Sequence, residues 1–170
     1  MTRLLAFSLL SLVSSLAAAE TAGGVSWTAP AGWTLQPARP MRVATYAIAA
    51  VAPDTEGAEL AIFFFGAGQG GSADDNIKRW AGQFEGKPPR TKQAKLGALA
   101  VTRVEIDGTY SASMGPMGPT AQKTSKPGWA LLGAIVEGGD GPVFFKLVGP
   151  KKTVEAARAK LDKLLATLKK

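Results

Sequence analysis

The segment that most limits the fold is the stretch from Trp129 to Val148, where two strand-like runs flank Gly138-Gly139-Asp140-Gly141. Both runs, Trp129 to Glu137 and Val143 to Val148, are rich in branched and aromatic residues. A glycine-rich turn between such runs specifies an antiparallel hairpin. The rest of the chain must build onto that hairpin. Val25–Thr28, Met41–Ala50 (through Val43, Thr45, Tyr46 and Ile48) and Leu99–Ile106 (through Val101, Val104 and Ile106) read as further strands. Glu59–Phe65 is nearly continuous in apolar residues, the pattern of a central strand covered on both faces.

Helical periodicity is confined to two segments. From Ser72 to Phe84 the residues Ala73, Ile77, Trp80, Ala81 and Phe84 share a stripe, with Ser72 as N-cap and Asp75 three residues on in a capping-box arrangement. From Lys152 to Leu168 one face carries Val154, Ala157, Leu161, Leu164, Leu165 and Leu168, and lysine or arginine fills much of the other. A single short strand-to-helix step argues against a doubly wound parallel sheet. The order of elements predicts an α+β fold, with a mostly antiparallel central sheet, helices on its faces and a long amphipathic C-terminal helix. Neither a repeat nor an internal boundary is visible, so one domain is expected.

The first residues stand apart from that domain. Arg3, the apolar run Leu4–Leu16 and Ala17-Ala18-Ala19 have the layout of a secretory signal cleaved after Ala19. The expected division is a signal peptide over 1–19 and the domain over 20–170. The run is shorter than the roughly 17–25 residues of a membrane-spanning helix, and no cysteine follows it to anchor a lipid. Cysteine is absent altogether, and the sole asparagine, Asn76, is not in a glycosylation sequon. These features favour a bacterial exported protein, periplasmic or secreted.

Composition then removes several chemistries. With no His and no Cys there is no Ser-His-Asp triad, no cysteine nucleophile, and none of the usual zinc, haem or iron–sulfur ligand sets. The 20 Lys and Arg exceed the 13 Asp and Glu, giving a net charge of +7. The basic residues gather at Lys87, Arg90, Lys92 and Lys95 and along the last helix. No aromatics interleave with them for base stacking, so nucleic acid is not expected as a partner. An envelope protein or an anionic envelope surface is the better match.

Individual motifs carry little chemistry. Gly66-Ala67-Gly68-Gln69-Gly70-Gly71 satisfies the GxGxxG spacing between a strand and a helix. Asp74 and Asp75 would repel a phosphate there, and no strand-ending acid follows about 20 residues on. It therefore reads as a flexible connection, and no cofactor is expected. Asp54, Glu56, Glu59, Asp107 and Asp140 could serve as acid and base only if the fold joined two of them. No serine has the G-x-S-x-G elbow or a Ser-x-x-Lys spacing, so no catalytic or metal-binding residue is assigned. The stretch Gly108–Gly128 reads as a long exposed loop. Such loops are often functional, and Tyr110, Met114 and Met117 are its candidate partner-binding residues.

Trp27-x-x-Pro30-x-Gly32-Trp33, the strand-rich middle and the terminal amphipathic helix together resemble the PsbP-like α/β/α sandwich, named after an extrinsic subunit of photosystem II. Phe63-Phe64-Phe65-Gly66, Asn76-Ile77-Lys78-Arg79-Trp80 and Phe144-Phe145-Lys146-Leu147-Val148-Gly149-Pro150 are similar to segments of an uncharacterised bacterial exported group with that fold. The resemblance spans about residues 24–168 and implies a three-layer sandwich, with no catalytic residues to carry over. The expected role is that of an exported, non-catalytic binding or accessory/assembly factor of the bacterial envelope. The rival is a small hydrolase using carboxylates brought together by the fold. A cleft lined by two acids with an aromatic wall from Trp33 or Trp129 would favour the hydrolase, and a basic or apolar surface the binding module.

Overall fold

The computed structural model describes residues 19–114 and 122–170, with side chains over 19–111 and 124–170. Its strands are β1 (Ala19–Ala22), β2 (Val25–Thr28), β3 (Thr34–Leu35), β4 (Ala44–Ile48), β5 (Ala58–Phe63), β6 (Phe84–Gly86), β7 (Arg90–Leu96), β8 (Leu99–Met114), β9 (Gln122–Gly138) and β10 (Gly141–Pro150). Helix α1 (Ala73–Ala81) lies between β5 and β6, and α2 (Lys151–Ala166) follows β10.

The hairpin around Gly138–Gly141 forms as its sequence predicts, with β9 and β10 paired antiparallel from Gly138↔Gly141 to Trp129↔Pro150. The main sheet runs in the order β3-β4-β5-β10-β9-β8-β6. Because β8 is long, its free side takes two partners, β7 along Leu99–Glu105 and β6 along Gly108–Tyr110. All of these pairings are antiparallel. β1 and β2 form a separate two-stranded ribbon.

Side-chain alternation divides the core into two layers. One face of the sheet presents Leu60, Ile62, Leu132, Val136, Phe145 and Leu147 to α2 and to Val25 and Trp27 of the ribbon. The other presents Val104, Ile106, Leu131, Ile135 and Phe144 to Ile77 and Trp80 of α1. The result is the three-layer sandwich. α2 buries the stripe read from its sequence, Val154, Ala157, Leu161, Leu164 and Leu165, with Leu168 just beyond its end. Trp80 lies flat on β9 because position 133 is glycine: a Cβ there would come within 2.4 Å of the indole ring.

The structure adds to or corrects three sequence readings. The basic residues Arg90, Lys92 and Lys95, read from the sequence only as a cluster of charge, lie on a strand, β7. β7 is an exposed edge strand, so its composition is that of surface, and charged residues on an edge discourage pairing with other chains. Gly108–Gly128 is not a long structureless loop. β8 continues to Met114 and β9 begins at Gln122, with a register shift between Gly108 and Tyr110. Its serines, threonines and alanines gave no apolar alternation, and the extension is registered by backbone pairing from Tyr110↔Lys126 to Met114↔Gln122. The Gly66–Gly71 connection is not simply flexible either. Asn76 Nδ2 donates to Gly70 O at 2.7 Å and to Ser72 O at 2.9 Å, fastening the turn to α1.

Candidate functional site

A nine-residue helix is roughly 13 Å long, and sheet strands are spaced about 4.8 Å apart, so α1 covers only part of its face. The uncovered part is a cleft of about 540 Å³. Phe63 and Phe65 line it from β5 and the turn beyond, Phe144 from β10, Trp80 from α1 and Tyr110 from β8. The Phe63 and Phe65 rings stack at 6.0 Å with 16° between planes, and Phe65 leans on Phe144 at 5.9 Å. Tyr110 lies between Phe84 (5.0 Å) and Trp129, the latter parallel to within 5° at 5.4 Å. The Nζ of Lys126 sits 4.4 Å from the Trp129 ring centre and pairs with Glu56.

Three cations reach this aromatic surface. The Arg42 guanidinium lies 5.7 Å from the Phe63 ring centre and is tied to Glu59 at 2.5 Å. Glu59 also holds Arg39 at 3.1 Å. Arg79, exposed on α1, has no carboxylate partner among the described residues. Lys146 is half-buried on β10 and donates to Gln83 Oε1 at 2.6 Å, with Tyr110 on another side at 5.9 Å. Burial first, then the positive Arg42 and Arg79, push its ammonium pKa down to about 8, against a smaller opposing pull from Glu59. Burial likewise raises the Tyr110 hydroxyl above its ordinary value. No carboxylate lines the cleft among the described residues.

Apart from Glu59, which Arg39 and Arg42 hold at the edge of the cleft, the candidate acids lie elsewhere. Asp54 caps α2 from a distant loop: its carboxylate accepts from Thr153 N at 2.7 Å and Thr153 Oγ1 at 2.8 Å, where Pro150 provides no side-chain cap. Asp107 accepts from Arg90 (3.1 Å) and Lys151 (3.3 Å), and Glu105 joins Arg90 to Arg158. Those cations hold both carboxyls below their ordinary range, Asp107 chiefly through Arg90 and Glu105 chiefly through Arg158. A shallower depression of about 430 Å³ is lined by Glu105 and Asp162, but each is engaged by an arginine, Asp162 by Arg103 at 2.5 Å. Trp33 is buried on the α2 side, and Trp129 stacks on Tyr110 away from any acid pair. In a tight turn, Asp75 accepts the Ser72 hydroxyl at 2.6 Å while its own N–H donates back to Ser72 Oγ, the expected cap of α1.

Of the three residues named as partner-binding candidates, Tyr110 lines the cleft. Met114 ends β8, with its side chain outside the described residues, and Met117 lies outside them entirely. Sequence reasoning passed over Lys146, Arg42 and Arg79. For Lys146 the signal was present: it is the one charged residue in the apolar run Val143–Val148, and such residues are costly to bury.

Among the described residues, no helix is long and apolar enough to cross a membrane, and no cluster of potential metal-ligating side chains occurs. No protein family and no curated protein matches the chain by sequence. Its fold is similar to the solution structure of cyanobacterial PsbP (CyanoP) from Synechocystis sp. PCC 6803, with a TM-score of 0.50 and 11% identity over 98% of each chain. The chain has a PsbP-like fold.

Proposed function

We propose that the protein is an exported, non-catalytic binding domain, an accessory factor of the bacterial envelope that holds its ligand or partner in the cleft beside α1. One observation carries this reading: the cleft of about 540 Å³ beside α1 combines an aromatic floor with three cations and has no carboxylate among its described lining residues. Carboxylate-dependent hydrolysis requires one acid to give a proton and a second group to activate water or attack, both close to the same bond. Asp54 caps a helix, and Glu56, Glu59 and Asp107 are engaged in ion pairs. The signal-like segment before Glu20 supports export, and the PsbP-like fold is compatible with an accessory role.

The test begins with protein recovered from its own cell envelope. N-terminal sequencing should start at Glu20. Native mass spectrometry should show a bound ligand or partner that is lost from the double variant Arg79→Glu/Lys146→Met. Ester, phosphoester and glycoside panels should show no turnover. Hydrolysis that disappears on replacing one of the named acids would overturn the reading in favour of the hydrolase.

A further inference from the structure

We infer that the cleft is a site for a small anion with a flat aromatic body, a carboxylate or phosphate monoester held between Lys146 and Arg79 above the rings of Phe63, Phe144 and Tyr110. This ligand class rests on the binding role proposed for the same cleft.

Charge is the first argument. Arg42, Arg79 and Lys146 all line the cleft. Of the carboxylates near them, Glu59 is already shared by Arg39 and Arg42, and Asp75, which feels the charge of Arg79, is engaged by the Ser72 hydroxyl. Positive charge is therefore left over at a partly dehydrated surface, where an opposite charge is attracted more strongly than in open water. Lys146 bonds Gln83 with one ammonium hydrogen, leaving two of its three donors for an incoming oxygen. A ligand anion would also relieve the repulsion that Arg42 and Arg79 exert on Lys146. No acid is among the described lining residues, and the nearby Glu59 is already neutralised by Arg39 and Arg42.

Shape and polarity supply the second argument. A bare inorganic anion would leave the partly exposed rings of Phe63, Phe65 and Tyr110 in water, whereas a flat ring would cover them. Aromatic pairs favour offset or edge contacts with centroids about 4.5–7 Å apart, and the Phe63–Phe65 stack presents such a surface. The volume of about 540 Å³ lies within the range typical of small-molecule sites.

Protonation supplies a readout. The charged or titratable groups facing Lys146 are Arg42 before β4, Glu59 on β5, Arg79 on α1 and Tyr110 on β8, with the amide of Gln83 as its hydrogen-bond acceptor. Among these cations only Lys146 loses its charge near pH 8. A bound anion stabilises its protonated form, so binding takes up a proton above that pH.

The experiment is isothermal titration calorimetry of the folded protein with 2-naphthoate and 2-naphthyl phosphate, beside neutral 2-naphthalenemethanol and inorganic phosphate. At about pH 7 the two naphthyl anions should bind at least about tenfold more tightly than either control, the tighter one identifying the head group. Above about pH 8 their affinity should fall up to about tenfold per pH unit. Lys146→Met should weaken both by about tenfold or more and flatten that profile. Arg79→Gln, a surface change that leaves the core untouched, should weaken them without flattening it. Equal binding of the neutral alcohol or of inorganic phosphate would overturn the inference, as would full affinity in either variant. If neither naphthyl anion binds while the Arg79→Glu/Lys146→Met variant still loses the ligand or partner seen by native mass spectrometry, the ligand class falls and the binding role stands. If that ligand is also missing and hydrolysis is found, the binding role falls too.

Discussion

Lys146→Met tests whether the cleft keeps a charge that the fold would be more stable without. The substitution preserves side-chain length and removes the ammonium; Gln83, which loses its donor, is itself half-exposed and can turn to water. The folded-state pKa of about 8 stands against an ordinary 10.5, a ceiling of about 3 kcal/mol at about 1.4 kcal/mol per unit. Partial exposure screens the group, so about 1–2 kcal/mol is the expected effect. The sign follows from proton linkage. Below about pH 8 the lysine is charged in both states and the folded state bears the whole penalty. Between about pH 8 and 10.5 the unfolded chain keeps a proton that the native protein has released, so wild-type stability rises with pH. Tyr46 and Tyr110 work the other way: burial raises both, and the Glu20 carboxylate adds to the effect at Tyr46. They remove stability above about pH 10, which confines the useful window to about pH 7–9.5. Urea unfolding followed by tryptophan fluorescence should show Lys146→Met more stable than wild type by about 1–2 kcal/mol at about pH 7, with the gap narrowing by about half towards pH 9.5. A variant that is less stable at pH 7, beside a wild type with no rise towards pH 9.5, would refute the reasoning.

Three further outcomes follow from the packing. Gly133→Ala places a methyl where only 2.4 Å separates it from the Trp80 ring, and should cost about 1–3 kcal/mol with a shift in tryptophan emission; an unchanged melting curve would show that Trp80 is not seated on β9. Asp54→Ala removes the cap that a distant loop provides to α2 and should cost about 1–3 kcal/mol in urea unfolding, as expected for a charge-assisted hydrogen bond, whereas Glu56→Ala two residues on should cost less than about 1 kcal/mol. Ser72→Ala should cost about 1 kcal/mol through loss of the α1 cap, read as a fall in thermal midpoint, and a neutral result would mean that Asn76 alone holds the turn.

Much of the architecture could be read from local pattern. The hairpin rests on a glycine-rich turn between two branched runs, α2 on an apolar stripe, α1 on a stripe and a serine cap, and β5 on an unbroken apolar run. These signals work because burial on a helix or strand has a fixed period. The edge strand β7 and the outer parts of β8 and β9 escaped detection because they are held by backbone pairing to a neighbouring strand, which leaves no periodic mark on side chains. The site escaped for a related reason. Lys146 could be seen as an anomaly in an apolar strand, but Arg42 and Arg79 looked like ordinary surface charges.

The sequence by itself determined the central hairpin, the strands β2, β4 and β5, the two helices, that the sheet is mostly antiparallel, and that histidine and cysteine chemistry is absent, since each is written in local periodicity or composition. Only the tertiary structure decided that Asp54 caps α2 across a separation of 99 residues, that Glu56, Glu59 and Asp107 are engaged in ion pairs, and that Arg42, Arg79, Lys146 and Tyr110 meet around one aromatic floor. Those groups come from three separate elements and the segment before β4, and their convergence depends on strand order and on how short α1 is relative to the sheet. Neither quantity is carried by the neighbours of any one residue along the chain.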